Sequence, residues 1–159
     1  MTALQTTWDA GHTLRWHAQG NWALQRSGDT VSAHSGRMAL LAHHIWPGDS
    51  TLIVDCLHHD LPEFFVGDVP GPGKRDFAAL NAALTLAEQG VAWRYGWVCG
   101  GSERLKFLDR LDAFLWMRRV APDQARERDW VLARSWLVNE ARTLGIGDLI
   151  TPLIAWVII

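Results

Sequence analysis

The chain has 159 residues, of which 48% are hydrophobic and 20% are charged, and its formal net charge is −2. This length and composition are typical of one globular domain with a sizeable core, which we place at residues 1–159. The slightly acidic balance argues against nucleic acid as a main ligand, because binding along a phosphate backbone requires a broad basic surface. A small local group of arginines and lysines could still hold one phosphate.

The cysteines and the two chain ends bear on the cellular compartment. Cys56 and Cys99 do not have the spacing of a metal site. No signal peptide is visible at the N-terminus, so we expect both to be reduced thiols in a cytoplasmic protein, or in the host cytoplasm if a phage encodes it. The final apolar run, 153–159, is too short to span a bilayer, and no membrane partner is expected.

Apolar residues at helical spacing predict an all-α fold of about six helices. Residues 1–13 have no strong pattern, and residues 18–30 read as a loop. The expected helices are 30–46, 51–59, 76–89, 103–120 and 123–144, followed by a last helix or strand in 146–159. Pro47 ends the first of these helices, Gly90 the third and Gly145 the fifth. Prolines and glycines exclude regular structure from the second half of 61–74, and 91–102 is expected to be irregular.

One short stretch carries recognisable chemistry. His59 and Asp60 are adjacent at the end of an expected buried helix, and Glu63 follows three residues later. An imidazole nitrogen and a carboxylate oxygen that project from a helix end can bind the same divalent ion. Two ligands do not make a site, so the remaining ligands must come from other parts of the chain.

Two other expected helices offer such ligands. His34 lies near the start of the first helix, although taken alone it equally fits a buried or capping histidine. Asp109 and Asp112 fall among the apolar residues of the helix 103–120, where a carboxylate is costly unless it is paired or bound to a metal. These residue types predict one metal site between three helices, and their spacing leaves the choice between the two aspartates open.

Several short motifs occur in a fixed order. They are Arg15-Trp16, His34-Ser35, His59-Asp60-Leu61-Pro62-Glu63, Gly67-Asp68-Val69-Pro70, Lys74 and Lys106-Phe107-Leu108-Asp109. This set resembles the HD-domain metal phosphohydrolases, whose pattern is H…HD…D. It is most similar to the branch that acts on deoxynucleotides, which includes bacterial 5′-deoxynucleotidases and short phage dNTP triphosphohydrolases. The resemblance extends from about Arg15 to Leu115 and implies a helical bundle around a mononuclear metal site.

The resemblance also implies the ligand set. The ligands would be His34, His59, Asp60 and Asp109. Asp109 is preferred to Asp112 because the Lys-x-x-Asp pattern of the family falls on Lys106 to Asp109. His59 is preferred to His58 because only His59 is joined to the aspartate. Mixed histidine and aspartate ligation accepts one divalent ion, which could be Co, Mn, Zn, Ni, Fe or Mg.

The same resemblance implies roles around the ion. Catalysis falls to Glu63, which would align or deprotonate a water, and to Asp60, which is also a ligand. The implied substrate-binding residues are Arg15, Trp16, Ser35, Asp68 and Lys74. The two cations would hold phosphates, and Asp68 would accept the sugar 3′-hydroxyl. The indole of Trp16 would form a wall that excludes a ribose 2′-hydroxyl. Trp22 is the next candidate for this role.

The expected activity is hydrolysis of a dNTP, first of all dATP, to a deoxynucleoside and triphosphate. The alternative is a 5′-deoxynucleotidase that converts a dNMP to a deoxynucleoside and phosphate. The cations available for a phosphate chain are Arg15, Lys74, Arg75, Arg37 and Lys106. A third hypothesis, from another class, is a non-catalytic HD module that binds a nucleotide as a signal or only assembles.

The chain is also expected to form a homo-oligomer, a dimer or a hexamer. Ten tryptophans are many for this length, and the segment 149–159 is strongly apolar. An apolar surface left open on a monomer favours association. The alternative is that the tail only closes the core of its own domain.

Overall fold

The computed structural model of the protein describes residues 2–16, 20–98 and 100–155. Regular structure in these ranges is helical, apart from one isolated bridge between Leu14 and Thr30, which confirms the all-α class. The helices are α1 (Ala3–Ala10), α2 (Trp22–Gln25), α3 (Val31–Ile45), α4 (Ser50–His58), α5 (Glu63–Val66), α6 (Gly71–Asp76), α7 (Ala78–Tyr95), α8 (Glu103–Val120), α9 (Arg128–Thr143) and α10 (Gly147–Ala155), with a 3-10 helix at Pro122–Arg126.

Helices α3, α4 and α7 to α10 correspond to the six that the sequence predicts, and the described part of the chain has more. The additional helix α1 begins with a reciprocal capping box, in which Thr2 and Gln5 each accept a backbone N–H of the other. Two of the other helices are also capped by side chains, α3 by Thr30 and α4 by Asp49.

The predicted end of the third helix at Gly90 is wrong. Helix α7 continues through this glycine to Tyr95, and the left-handed residue Gly96, with φ of 71°, ends it. Glycine inside a helix costs only about 1 kcal/mol relative to alanine. Burial of Ala92 in a small cluster with Trp97 offsets this cost, because that burial requires the last helical turn.

Two further predictions about regular structure need correction. Helix α6 forms within the glycine- and proline-rich segment, where Pro72 occupies the first turn and its missing N–H has no helical partner to lose. The predicted helix 123–144 is instead a 3-10 helix and α9, separated by Glu127, whose ψ of 143° is extended.

The core fixes the three helices that carry the predicted metal ligands. Helices α3 and α4 pack against each other across a short connection, and α8 packs on both. Helix α9 covers α8, and α10 covers α9. Met38, Phe107, Leu111 and Leu137 are fully buried where these helices meet. Close packing of this kind fixes the relative positions of side chains on neighbouring helices.

The described part of the tail belongs to the core. Ile150 and Ile154 of α10 are buried in the main cluster, whereas Leu149 is exposed. This supports the alternative in which the tail closes its own domain. Residues 156–159, which complete the predicted apolar tail, and Cys99 lie outside the described residues. Within the described ranges, no helix has the length and apolar character needed to cross a membrane.

Candidate metal centre

Four side chains that the sequence nominates as ligands meet at one point. His34, His59, Asp60 and Asp109 each offer one ligand atom, and these atoms all lie within 4.8 Å of one another. Nε2 of His34 lies 3.3 Å from Nε2 of His59, 3.4 Å from an oxygen of Asp60 and 3.3 Å from an oxygen of Asp109. Ligand atoms that are each about 2.1 Å from one ion lie about 3.0–3.4 Å apart, so the group could hold a metal ion.

Both imidazoles are held with the same nitrogen available. Nδ1 of His34 lies 2.7 Å from a carboxylate oxygen of Asp112, and Nδ1 of His59 lies 2.9 Å from the carbonyl oxygen of Cys56. Each acceptor requires a proton on Nδ1, so in the neutral ring the lone pair is on Nε2, which faces the other ligands. An imidazole anchored in this way is oriented for metal binding before any ion arrives.

Three packed elements place the ligands. His34 is on the first turns of α3, where the Thr30 cap fixes the helix start. His59 follows α4 as its C-cap residue, so Asp60 begins the turn that leaves the helix. Asp109 is on α8, which packs against both. The site therefore depends on the core and not on a single loop.

In the absence of an ion, the carboxylates and imidazoles stabilise each other's charges. Burial opposes the imidazolium of His59, but Asp60 and Asp109 outweigh it and raise its pKa to about 9. Burial also opposes ionisation of Asp60, yet His59, His34 and Arg15 hold its pKa below the ordinary range. Metal binding at Nε2 of His59 must therefore displace a proton.

Asp112 supports the site in a way that the sequence did not indicate. The sequence analysis considered it only as an alternative ligand to Asp109. Besides His34, its carboxylate accepts two hydrogen bonds from Arg37, from Nε at 2.7 Å and from Nη2 at 2.8 Å. Burial opposes its charge, but Arg37 and His34 lower its pKa, so it remains an acceptor. Its position one turn after Asp109 on the same helix face was the available signal.

Asp29 joins this arrangement to the predicted substrate residues. Its side chain is fully buried and accepts hydrogen bonds from Arg37 at 2.9 and 3.1 Å. It also accepts the indole N–H of Trp16 at 3.1 Å and a longer bond from Arg15 at 3.4 Å. One buried carboxylate thus fixes Arg15, Trp16 and, through Arg37, the partner of a metal ligand. Arg37, a candidate phosphate-binding cation in the sequence, is engaged here instead.

Arg15 lies against the cluster, as predicted for a phosphate-binding group. Its guanidinium nitrogens are 3.8 Å from Asp60 and 3.6 Å from Asp109. Burial alone would lower the pKa of Arg15, but the carboxylates of Asp60, Asp109 and Asp29 raise it, so the side chain is a permanent cation. A bidentate donor beside the ligand group suits a phosphate oxygen.

Glu63, at the start of α5, is buried, and one of its oxygens has no hydrogen-bond partner. Burial, followed by repulsion from Asp60 and Asp68, raises the pKa of this carboxyl to about 10. Lys74 lies 3.9 Å away and is shared with Glu88, so its attraction does not offset these two effects. A buried, unpartnered carboxyl near a metal site is typical of a group that handles a proton.

The predicted sugar-binding residues lie next to each other. The backbone N–H of Trp16 donates to Asp68 at 3.3 Å, which joins the loop after α5 to the loop before α2. Trp16 is buried and has φ of 68°, a left-handed conformation that is uncommon for a bulky residue and often occurs at functional sites. Trp22, the other candidate for excluding the 2′-hydroxyl, is largely exposed. Ser35, a predicted substrate-binding residue, is buried next to His34 in the sequence, and its hydroxyl has no hydrogen-bond partner.

The remaining candidates are engaged elsewhere. His58 accepts the backbone N–H of Val98 at Nδ1 and is not part of the ligand group. Arg75 pairs with Asp76 and Lys106 pairs with Glu103, all on the surface. Of the five cations considered for a phosphate chain, Arg15 lies next to two ligand carboxylates and Lys74 lies next to Glu63.

No protein-family model, curated protein or solved structure matches the chain. Membership of the HD-domain phosphohydrolases therefore stays a prediction from the ordered motifs, and the chemistry of the site has to be argued from its own geometry.

Proposed function

We propose that this protein is a metal-dependent phosphohydrolase of the HD-domain type that acts on deoxynucleotides, with release of triphosphate from a dNTP as the primary reaction. The observation that carries the proposal is the group of His34, His59, Asp60 and Asp109, with the buried carboxyl of Glu63 beside it. Nitrogen and oxygen ligands in this ratio suit a divalent transition metal or Mg²⁺. When bound there, such an ion would offset phosphate charge and lower the pKa of a water.

The residues around the cluster supply the other requirements of phosphate hydrolysis. Arg15 can donate two parallel N–H groups of its guanidinium to a phosphate, and Lys74 can contribute a single positive charge next to Glu63. Glu63 can exchange a proton with the attacking water or with the leaving sugar oxygen, which is the task of a general acid or base. Arg15 is held by the buried carboxylate of Asp29 and needs little rearrangement before it acts.

The preference for a deoxy sugar rests on Trp16 and Asp68. The indole of Trp16 is fixed by Asp29, and Asp68 lies against the backbone of Trp16. A fixed indole denies both space and a hydrogen-bond partner to a ribose 2′-hydroxyl, while a neighbouring carboxylate can accept a 3′-hydroxyl. Selectivity for deoxyribose is therefore expected from shape rather than from additional hydrogen bonds.

A specific observation favours a second candidate, the conversion of a dNMP to a deoxynucleoside and phosphate. In the described residues Arg15 lies next to the ligand carboxylates and Lys74 next to Glu63, and a single phosphate needs fewer cations than three. Both reactions use the same ligand group and the same proton donor. In both, water attacks the α-phosphorus and the 5′-oxygen leaves, so the two reactions differ in whether the site must also hold two further phosphates.

A substrate panel distinguishes these reactions. dNTPs, dNMPs and their ribonucleotide forms are incubated with the protein and Mn²⁺, Co²⁺ or Mg²⁺, and the products are separated by chromatography. Triphosphate from dATP, with no product from ATP, is the expected result, and phosphate from dAMP would establish the second candidate. A protein that binds Mn²⁺ but releases neither product from any nucleotide would contradict the proposal.

A further inference from the structure

Asp29 is a fully enclosed carboxylate, although it lies in the loop just before α3. The residue is 1% exposed, and its side chain has no accessible surface. Its backbone is paired with an earlier segment, because the N–H of Arg15 donates to the carbonyl of Asp29 at 3.0 Å and the N–H of Val31 donates to the carbonyl of Thr13 at 2.9 Å. The segment that carries Arg15 and Trp16 is therefore held along the start of α3.

The carboxylate of Asp29 accepts hydrogen bonds from three side chains. Oδ2 accepts the indole N–H of Trp16 at 3.1 Å, and Arg37 donates to both oxygens at 2.9 and 3.1 Å. Arg15 adds a longer bond to Oδ2 at 3.4 Å. A buried carboxylate is costly unless it is paired and hydrogen-bonded, and here two guanidinium groups supply the opposite charge. The indole is therefore bound to a group that is itself fixed in place.

The backbone of Trp16 has a conformation that needs such support. Its φ of 68° is left-handed, and a bulky residue keeps this conformation only where the surrounding contacts determine it. Asp29 holds the indole N–H, and Asp68 holds the backbone N–H at 3.3 Å. Asp68 is also the proposed acceptor of the sugar 3′-hydroxyl, so a bound sugar shares it with Trp16. Asp29 is enclosed and keeps its bond to the indole when substrate binds.

We propose that Asp29 is a positioning residue that determines the selectivity of the site for deoxyribose. It does not touch the substrate but acts through Trp16, whose indole it holds where a ribose 2′-hydroxyl would lie. Its bond to Arg15 keeps the phosphate-binding group in register with that indole. The inference rests on the proposed function and deepens it, because it assigns selectivity to the residue behind the indole and not to the indole alone.

Two substitutions remove this anchor in different ways. Asp29→Asn leaves one acceptor oxygen where three side chains donate, and Trp16→Phe keeps a ring that has no N–H to donate. The ratio of kcat/KM for dATP to kcat/KM for ATP, measured with Mn²⁺, is expected to fall about tenfold or more in each variant, because a ring that can turn no longer excludes the 2′-hydroxyl. Mn²⁺ affinity should be retained in both, since Arg37 keeps its bonds to Asp112.

The double variant separates positioning from a general loosening of the fold. If Asp29 acts through the indole, the two effects do not add, and Asp29→Asn combined with Trp16→Phe should have the same ratio as Trp16→Phe alone. The matched control is Asp55→Asn, which replaces another buried aspartate, on α4, and should leave the ratio unchanged.

Four results would overturn the inference. They are an unchanged ratio in Trp16→Phe, which decides the matter even if Asp29→Asn does not fold, an unchanged ratio in folded Asp29→Asn, additive effects in the double variant, and an equal fall in Asp55→Asn. A wild-type protein that hydrolyses dATP and ATP equally well would refute the selectivity and leave Asp29 without this role. A wild-type protein that binds Mn²⁺ and hydrolyses no nucleotide would instead refute the proposed function, and this inference with it.

Discussion

The carboxylate of Asp112 is not among the four ligand groups, yet it determines which nitrogen of His34 can bind an ion. It accepts the Nδ1 proton at 2.7 Å and is itself held by two bonds from Arg37. Partners of this kind fix the tautomer and the direction of a ligand, and their loss typically lowers metal affinity 10- to 100-fold. Asp112 is therefore a positioning residue for the proposed metal centre.

We expect Asp112→Asn to lower the affinity for Mn²⁺ by about 10- to 100-fold, because the amide is a weaker acceptor and no longer attracts Arg37. Calorimetric titration measures the affinity, and Asp123→Asn, at an exposed aspartate of the 3-10 helix, is the control for the change in charge. Equal affinities of the two variants would show that Asp112 does not position His34.

Glu63→Gln separates proton transfer from metal binding. Glu63 is not in the ligand group, so the variant should retain Mn²⁺ and lose about 10²- to 10⁴-fold in hydrolysis rate. Metal content and initial rate are measured on the same preparation. Loss of the metal would place Glu63 among the ligands, and a retained rate would remove it from the mechanism.

The same variant has a predicted effect on stability in the metal-free protein. Burial raises the pKa of Glu63 from 4.5 to about 10, so the folded protein keeps a proton that the unfolded chain loses in this interval. Stability contributed by this proton is present below pH 4.5 and declines as pH rises towards 10. Glu63→Gln should therefore melt at a higher temperature than wild type at pH 8, and by a smaller margin at pH 5, in calorimetry with EDTA. A margin that grew at pH 5 would contradict the cause given for the shift.

The four candidate ligands could be chosen from the sequence, and the network behind them could not. His59 and Asp60 are adjacent, and the ordered motifs select His34 and Asp109, so these choices need no knowledge of packing. Asp29 lies in a polar loop, and its side chain is enclosed by donors from other segments, the indole of Trp16 and the guanidinium of Arg37. Nothing in the local pattern around Asp29 indicates that it becomes fully buried.

At the scale of elements, α10 tests whether the tail supports the core. Ile150 and Ile154 are buried against the main cluster, while Leu149, on the same helix, is 58% exposed. Ile154→Ala should reduce the free energy of unfolding by about 2–4 kcal/mol through lost burial and a cavity. Leu149→Ala should change it by less than about 0.5 kcal/mol.

Denaturant unfolding measures both α10 variants under the same conditions. Equal effects would mean that α10 does not pack as described. If α10 does close the core, removal of everything after Gly147 should unfold the domain and not merely dissociate an oligomer.

The boundary errors also have physical causes at this scale. Gly90 and Pro72 are local signals against a helix, yet each lies within one. Helix α7 passes Gly90 because Ala92 and Trp97 are buried together, and α6 accepts Pro72 because it falls in the first turn. Long apolar periodicity predicted helix existence well, as in α8, which spans Glu103–Val120 as expected.

At the scale of the whole molecule, α7 presents an apolar face that the described residues leave open. Leu86 is 70% exposed and Trp93 is 87% exposed, and they are seven residues apart on one side of the helix. Ala79, Ala83 and Gly90 continue the same stripe and are also exposed. A stripe of this pattern favours pairing with a second copy about a twofold axis, because the same surface can be buried on both chains.

We therefore expect the homo-oligomer predicted from the sequence to depend on α7. Leu86→Glu should convert the assembly to a smaller species in light scattering, because it places a charge in the contact. Leu132→Glu introduces the same charge at a leucine of α9 that is 55% exposed, and it should leave the mass unchanged. A wild-type monomer, or the same mass for all three proteins, would refute this contact.

The most direct measurement of the central claim is anomalous diffraction from crystals grown with Mn²⁺. One peak per chain is predicted, at about 2.0–2.3 Å from Nε2 of His34, Nε2 of His59 and one oxygen each of Asp60 and Asp109. The same experiment on His59→Ala should show no peak at this position. A peak at other residues, or none in the wild-type protein at saturating Mn²⁺, would contradict the metal centre and with it the proposed hydrolysis.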